Sequence, residues 1–217
     1  MSVTSRPSVE FFYCSSCPWT YLAFVRLVEA ATRTGGAIVY RPILSAWIDQ
    51  RSDAAFAGPL THANPRVSAY ARKDLQDWAQ FCGVSIDQPV DGPVDVEWAQ
   101  RGAIPAIEAG RARPYIEAVF RAHFADGRDV ADRAVILEIA AGCGLSGAEF
   151  GARLGADDVA DKIRRNCHEL VDRGGFGSPT MFAGGDMYYG HDRMPLVESA
   201  LLRGHAQPFI APGEHGR

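Results

Sequence analysis

EFFYCSSCPWTYL, residues 10–22, decides the fold: an apolar run ends in two cysteines and passes at once into a proline that opens a helix. β-Prone aromatics bounded by polar residues predict a short buried strand over 8–14. Pro18 suits the first helical position, where its missing N–H costs nothing. Cys17 therefore stands at the join of a strand and a helix N-terminus. The helix dipole and free backbone N–H groups favour a thiolate there, so the Cys17 pKa is expected below the free value of about 8.5.

Working outward, Tyr21, Leu22, Val25, Val28 and Ala31 recur at helical spacing, and Gly35-Gly36 closes the helix after Thr34. Ala37 to Arg41 reads as a second strand stopped by Pro42, which completes a parallel, right-handed strand–helix–strand unit. Near the other end, Thr180–Ala183 and Asp186–Tyr189 flank Gly184-Gly185 as a hairpin, and a last helix follows with Leu196, Val197 and Leu201 inward. The chain from Gly204 reads as a loose tail.

No strand is expected between about 45 and 175. Residues 45–65, broken by Gly58-Pro59 and Asn64-Pro65, read as an irregular, partly helical excursion. Helices are predicted over 66–82 (Val67, Ala71, Leu75, Trp78 and Cys82 on one face), 115–124, 130–141 (Val135, Ile136 and Ile139 inward) and 157–173, with loop over 84–96. This order predicts an α/β, thioredoxin-like fold with an all-helical insertion: 1–44 and 174–217 form the thioredoxin-like domain, and 45–173 the insertion.

The 217 residues are 47% hydrophobic and 22% charged, an ordinary globular composition. A net charge of -4, with no basic block longer than two residues, argues against a nucleic-acid surface. No stretch reaches about 18 continuous apolar residues, so no membrane span is expected. The first ten residues lack the apolar core of a signal peptide, and the cytoplasm is the expected location. Five cysteines, an odd number, then read as thiols rather than a disulfide framework.

Cys14-Ser15-Ser16-Cys17 is formally a C-x-x-C. In dithiol centres the first cysteine caps the helix and the second lies in its first turn; here Cys17 takes the capping place and Thr20 the inner one. A Cys14–Cys17 disulfide stays open as a minority alternative. Ser178-Pro179, ahead of a β-run, is the second candidate. A cis bond there, facing a thiol, presents a backbone edge able to pair with a peptide-like ligand, although local sequence alone favours an ordinary trans turn. Tyr189, Gly190, His191 and Asp192 are the third, with Asp192 as cap of the last helix, its amides suited to a carboxylate, and His191 as a surface group. The histidines show no metal spacing.

SCPWTYLAF at 16–24, YRPIL at 40–44, NP at 64–65, AYARKDLQDWA at 69–79, FRAHFADGRDVAD at 120–132 and GGFGSPTMFAGGDMYYGHDR at 174–193 run in one order along the chain. In these blocks the chain resembles the 2-hydroxychromene-2-carboxylate isomerase family, kin of kappa-class glutathione transferases and of DsbA-type disulfide oxidoreductases. The resemblance implies glutathione as cofactor, a homodimer, and interconversion of a cyclic hemiketal carboxylate with a trans-benzylidenepyruvate. It places Cys17 where the family has a serine that contacts glutathione's sulfur. Ser178 and Pro179 match the backbone that pairs with the cysteinyl unit, and Tyr189 to Asp192 the γ-glutamyl end. Asn64 and Trp19 fall on the substrate side.

Two departures accompany this. Cysteine replaces serine at 17, and SAWIDQ (45–50) lacks the lysine that the family carries after the RPIL block, leaving Arg41, Arg66 or Arg72 to supply a cation. The first departure makes Cys17 itself a possible thiol catalyst, adding reversibly to a conjugated double bond. The implied function is a thiol-assisted isomerase, through glutathione or Cys17, of a conjugated carboxylate-bearing small molecule. The alternatives are a DsbA-like thiol–disulfide oxidoreductase and a kappa-like glutathione transferase.

Overall fold

The computed structural model describes residues 6–49, 64–87, 94–145 and 147–203. The predicted excursion over 50–63, His62, His205, His215, the middle of the 84–96 loop and the tail from Gly204 lie outside them. β1 (Ser8–Tyr13) and β2 (Ala37–Pro42) pair in parallel, with α1 (Pro18–Thr34) crossing between them. β3 (Thr180–Ala183) pairs antiparallel to β1, and β4 (Asp186–Tyr189) antiparallel to β3, so the sheet order is β2-β1-β3-β4. Pro42 belongs to β2, opposite Tyr13. It is tolerated because β2 is an edge strand, where a missing N–H faces no ladder partner.

Between β2 and β3 the described residues are helical: α2 (Ser45–Asp49), α3 (Pro65–Phe81), α4 (Glu97–Glu108), α5 (Ala112–Phe124), α6 (Arg133–Gly142), α7 (Gly147–Leu154) and α8 (Asp157–Asp172). A 3-10 turn, His191–Arg193, then leads into α9 (Met194–Arg203). Two helices, α4 and α7, fall where the sequence pattern predicted none. From Ala99 to Ala106 every residue except Arg101 is buried, so the polar face of α4 is reduced to the sparse stripe Glu97, Arg101 and Glu108, and Pro105 interrupts the pattern. α6 starts at Arg133 rather than 130, because the Asp132 side chain accepts from the Ala134 N–H at 2.8 Å and caps it.

Two faces are rotated from their predicted positions. α3 buries Ser68, Ala71, Leu75 and Ala79 and leaves Val67 exposed; α9 buries Val197 and Leu201 and exposes Leu196. The inward direction is set by what each helix packs on, which the helix's own pattern specifies only to within about one residue.

One hydrophobic core runs through sheet and helices. Phe11 stacks on Tyr13 in β1 (5.4 Å), and Tyr21 of α1 stacks on Phe120 of α5 (5.0 Å). Phe24 packs on Phe120 as well (5.6 Å), which pins α5 to the strand–helix–strand unit. Each such buried ring stabilises by roughly 1.5–3 kcal/mol. On the opposite sheet face, Glu10 accepts from Arg41 at 2.8 Å and from Arg173 at 2.9 Å. Burial works against the Glu10 carboxylate, but the two guanidinium groups outweigh it and hold its pKa below the usual range. This cluster ties α8 to the sheet. Among the described residues no helix is long and apolar enough to cross a membrane.

Candidate active site

Cys17 is the residue that precedes α1, in extended conformation (φ -98°, ψ 118°), with Pro18 as the first helical residue. Its carbonyl accepts the first helical bonds from the Thr20 and Tyr21 N–H groups at 3.0 and 3.3 Å, and its own N–H donates to the Cys14 carbonyl at 3.3 Å. The sulfur sits beside the Trp19 and Thr20 amides of the first turn. The Ser178-Pro179 bond is cis, and the Cys17 thiol donates to the Ser178 carbonyl oxygen at 3.5 Å. Residues 161 positions apart meet here.

The Ser178 hydroxyl is bound from two sides. It accepts from the Cys14 N–H at 2.8 Å and lies 2.8 Å from the Thr20 hydroxyl, which is fully buried. Since the Cys14 N–H can only donate, the Ser178 hydroxyl is free to give its hydrogen to Thr20, and Thr20 to give its own to the sulfur. The Thr20 hydroxyl and the Thr20 and Trp19 amides favour the Cys17 thiolate. Burial is the larger effect, and with Cys14 beside it the thiol is pushed above its ordinary pKa. This corrects the expectation of a depressed pKa: at the half-buried Cys17, desolvation outweighs the three donors and favours the neutral thiol.

All five cysteines are free. Cys14 is buried, its sulfur 3.2 Å from the Ser16 hydroxyl. Cys167 is buried too, accepts from the Leu44 N–H at 3.4 Å, and is pushed up to about 11 by burial. Neither has the exposed, cationic surroundings that make a cysteine reactive.

The third candidate block closes over the same corner. The Gly190 N–H donates to the Pro179 carbonyl at 3.0 Å, fixing the end of β4 against the cis peptide. Gly190 has φ 101°, a conformation that favours glycine, and a Cβ there would lie 2.7 Å from the Asp192 carboxylate. Tyr189 packs its ring on Phe176 at 4.5 Å. His191 is buried, contrary to its reading as a surface group. It stacks on Trp19 at 4.9 Å, meets Trp78 edge-on at 4.7 Å, and its carbonyl accepts from Arg26 at 2.9 Å. Burial lowers its pKa, and Nδ1 has no partner. Asp192 does not cap α9: it lies inside the 3-10 turn preceding it, paired with Arg193 at 3.6 Å.

Asn64 caps α3, accepting from the Arg66 N–H at 3.0 Å. Arg41 is committed to Glu10, which removes it as a spare cation for a substrate. The structure thus brings together Cys17, Ser178, Pro179 and Gly190, with Trp19 and His191 stacked alongside, while Asn64 stands at the head of the helix that carries Trp78.

Two residues bonded into this corner were missed. Thr20 was noted only for not being cysteine. Gln100 went unread altogether, although a lone amide inside the apolar run around AQRGAIPA is the kind of buried polar group that needs partners. Among the described residues no group of three or more His, Cys, Asp or Glu side chains is placed to hold a metal ion.

Residues 8–202 match the family of DSBA-like thioredoxin domains. A 2-hydroxychromene-2-carboxylate isomerase from Pseudomonas putida is 27% identical over 198 residues, which cover 90% of this chain and 94% of that protein. The solved structure of a 2-hydroxychromene-2-carboxylate isomerase superposes with a TM-score of 0.80 at 26% identity, over 90% of this chain and 95% of that one. A probable DsbA oxidoreductase from Streptomyces coelicolor superposes with a TM-score of 0.76 at 24% identity, covering 91% and 89% of the two chains, and shows the shared fold.

Proposed function

This chain belongs to the family of DSBA-like thioredoxin domains, and from that premise we propose that it is a thiol-assisted isomerase of a conjugated, carboxylate-bearing aromatic or unsaturated small molecule, similar in reaction to 2-hydroxychromene-2-carboxylate isomerase, with glutathione as cofactor. The observation that carries the reading is the neutral Cys17 thiol donating across to Ser178 at 3.5 Å, with Thr20 in the place where a dithiol enzyme needs its second sulfur.

A neutral S–H is a donor, as the family's serine hydroxyl is, and the donor set around it fits a bound thiolate. Cys17 would hold glutathione's sulfur, Ser178 and Pro179 its peptide backbone, and Tyr189, Gly190, His191 and Asp192 its γ-glutamyl end. When bound there, glutathione supplies a thiolate that adds reversibly to a conjugated double bond, freeing it to rotate. The Cys17 S–H would donate to that sulfur and favour its negative charge, while the buried Thr20 hydroxyl would in turn support the Cys17 sulfur. Trp19 offers an aromatic wall to the substrate beside the thiol, and Asn64 faces the substrate side from the head of α3.

The second reading makes Cys17 itself the nucleophile. Isomerisation of 2-hydroxychromene-2-carboxylate by the parent and Cys17→Ser proteins, with and without glutathione, separates the two. Turnover that needs glutathione and survives in Cys17→Ser is the expected result. Glutathione-independent turnover abolished by Cys17→Ser would establish the second reading, and no isomerisation under any condition, with insulin reduced instead, would overturn both.

A further inference from the structure

Gln100 sits in the first turn of α4 and is fully buried. Its amide can be oriented in only one way. The Tyr13 and Ile43 carbonyls accept and cannot donate, so the NH2 group must face both, at 2.7 and 2.8 Å. The amide oxygen then faces Ser15, whose hydroxyl must donate, at 2.6 Å. Ser15 is only 2% exposed. Three buried partners are met by one side chain.

The partners lie at the three places that fix the thiol. Tyr13 ends β1, Ile43 follows the end of β2, and Ser15 is inside the connector from Cys14 to Cys17. The Tyr13 carbonyl also accepts from the Ile43 N–H at 3.0 Å, so Gln100 completes a clamp across the two strand ends. The same connector is held at Cys14 by the Ser178 hydroxyl and at Cys17 by the Cys14 carbonyl. Ser16 meets the Cys14 sulfur within the same loop, and Ser15 is the point at which α4 holds it, through Gln100.

We infer that Gln100 is a positioning residue: through Ser15 it sets where the Cys17 sulfur sits against Ser178, so that the helical insertion, and not the thioredoxin-like half alone, determines the reactivity of the thiol. The inference rests on Cys17 being the working group of the proposed function. Alkylation reads that thiol directly, so a chain with a different substrate or cofactor would still leave the test intact.

The experiment is alkylation of Cys17 by iodoacetamide as a function of pH, resolved peptide by peptide by mass spectrometry, in the parent, Gln100→Met and Ser15→Ala proteins. Gln100→Met keeps length and shape while removing the amide; Ser15→Ala cuts only the branch to the loop and keeps both strand bonds. A loosened loop lets water reach the sulfur and relieves the burial that keeps it protonated. The Cys17 titration then moves down toward the free thiol, near about 8.5, by roughly half a unit in Ser15→Ala, and neutral-pH alkylation rises roughly threefold. Gln100→Met moves it further in the same direction. A purely structural residue would lower the unfolding midpoint and leave that titration in place. An unchanged Cys17 titration in Ser15→Ala overturns the inference, and that variant decides alone should Gln100→Met fail to fold.

Discussion

α1 and α4 are both central helices, and they differ in how far their neighbours enclose them. α1 opens on an extended cysteine and a proline, ends at Gly35 with φ 67°, and leaves Glu29, Thr32 and Arg33 in solvent. α4 likewise has no side-chain cap at its start, and Gly110 with φ 68° follows its end, but it carries a proline, Pro105, and from Ala99 to Ala106 every residue except Arg101 is buried. The two helices therefore differ less at their ends than in how completely neighbours enclose them. The residue ahead of α1, Cys17, stays half-buried, whereas the enclosed turn around Gln100 offers immobility, which suits an amide that fixes a loop. The reactive thiol of the proposed function and the amide that places it come from helices of unequal enclosure.

Gly102→Ala is the largest test of that contrast. A Cβ at Gly102 would lie 2.1 Å from the Tyr115 hydroxyl and 2.8 Å from its ring, and Tyr115 is itself buried, donating to the Ala99 carbonyl at 3.0 Å. Overpacking of this kind costs about 1–3 kcal/mol or somewhat more. Urea unfolding should show the upper part of that range, and a loss under about 0.5 kcal/mol would mean that α4 is not locked. Thr20→Val comes next, at about 1–1.5 kcal/mol, because it removes a buried hydroxyl bonded to Ser178. It also removes a donor that favours the Cys17 thiolate, so Cys17 alkylation should require higher pH; a shift to lower pH would contradict the hydroxyl chain. The smallest effect is at the self-terminated end of α1. Gly35→Ala meets no atom within 4 Å, so only its backbone conformation is strained, at about 1 kcal/mol.

The same contrast explains what could be read in advance. β1, α1 and β2 were legible because Pro18, Gly35-Gly36 and the alternation from aromatic strand to periodic helix are local signals, and the Gly184-Gly185 hairpin is another. α4 was hard to read because its polar stripe is only Glu97, Arg101 and Glu108, and Pro105 reads as a break. Of the candidate site, Cys17, Ser178-Pro179 and Tyr189 to Asp192 were each marked out by local sequence, and the resemblance supplied their roles toward glutathione. The depressed thiol pKa was wrong because burial by residues distant in sequence is invisible locally. The burial of His191 between Trp19 and Trp78, the pairing of Arg41 with Glu10, and the bond between Thr20 and Ser178 all depend on partners from other elements. No pattern within one segment announces them.

The most direct test is isomerisation of 2-hydroxychromene-2-carboxylate, with glutathione, by Cys14→Ser and Cys17→Ala side by side. One working group at Cys17 requires Cys14→Ser to stay close to parent. Cys17→Ala, having lost a hydrogen bond to a charged sulfur worth about 1.5–3 kcal/mol, should fall roughly 10- to 150-fold. Equal and severe losses in both variants would mean that the two cysteines act as a dithiol, and would contradict a single working group.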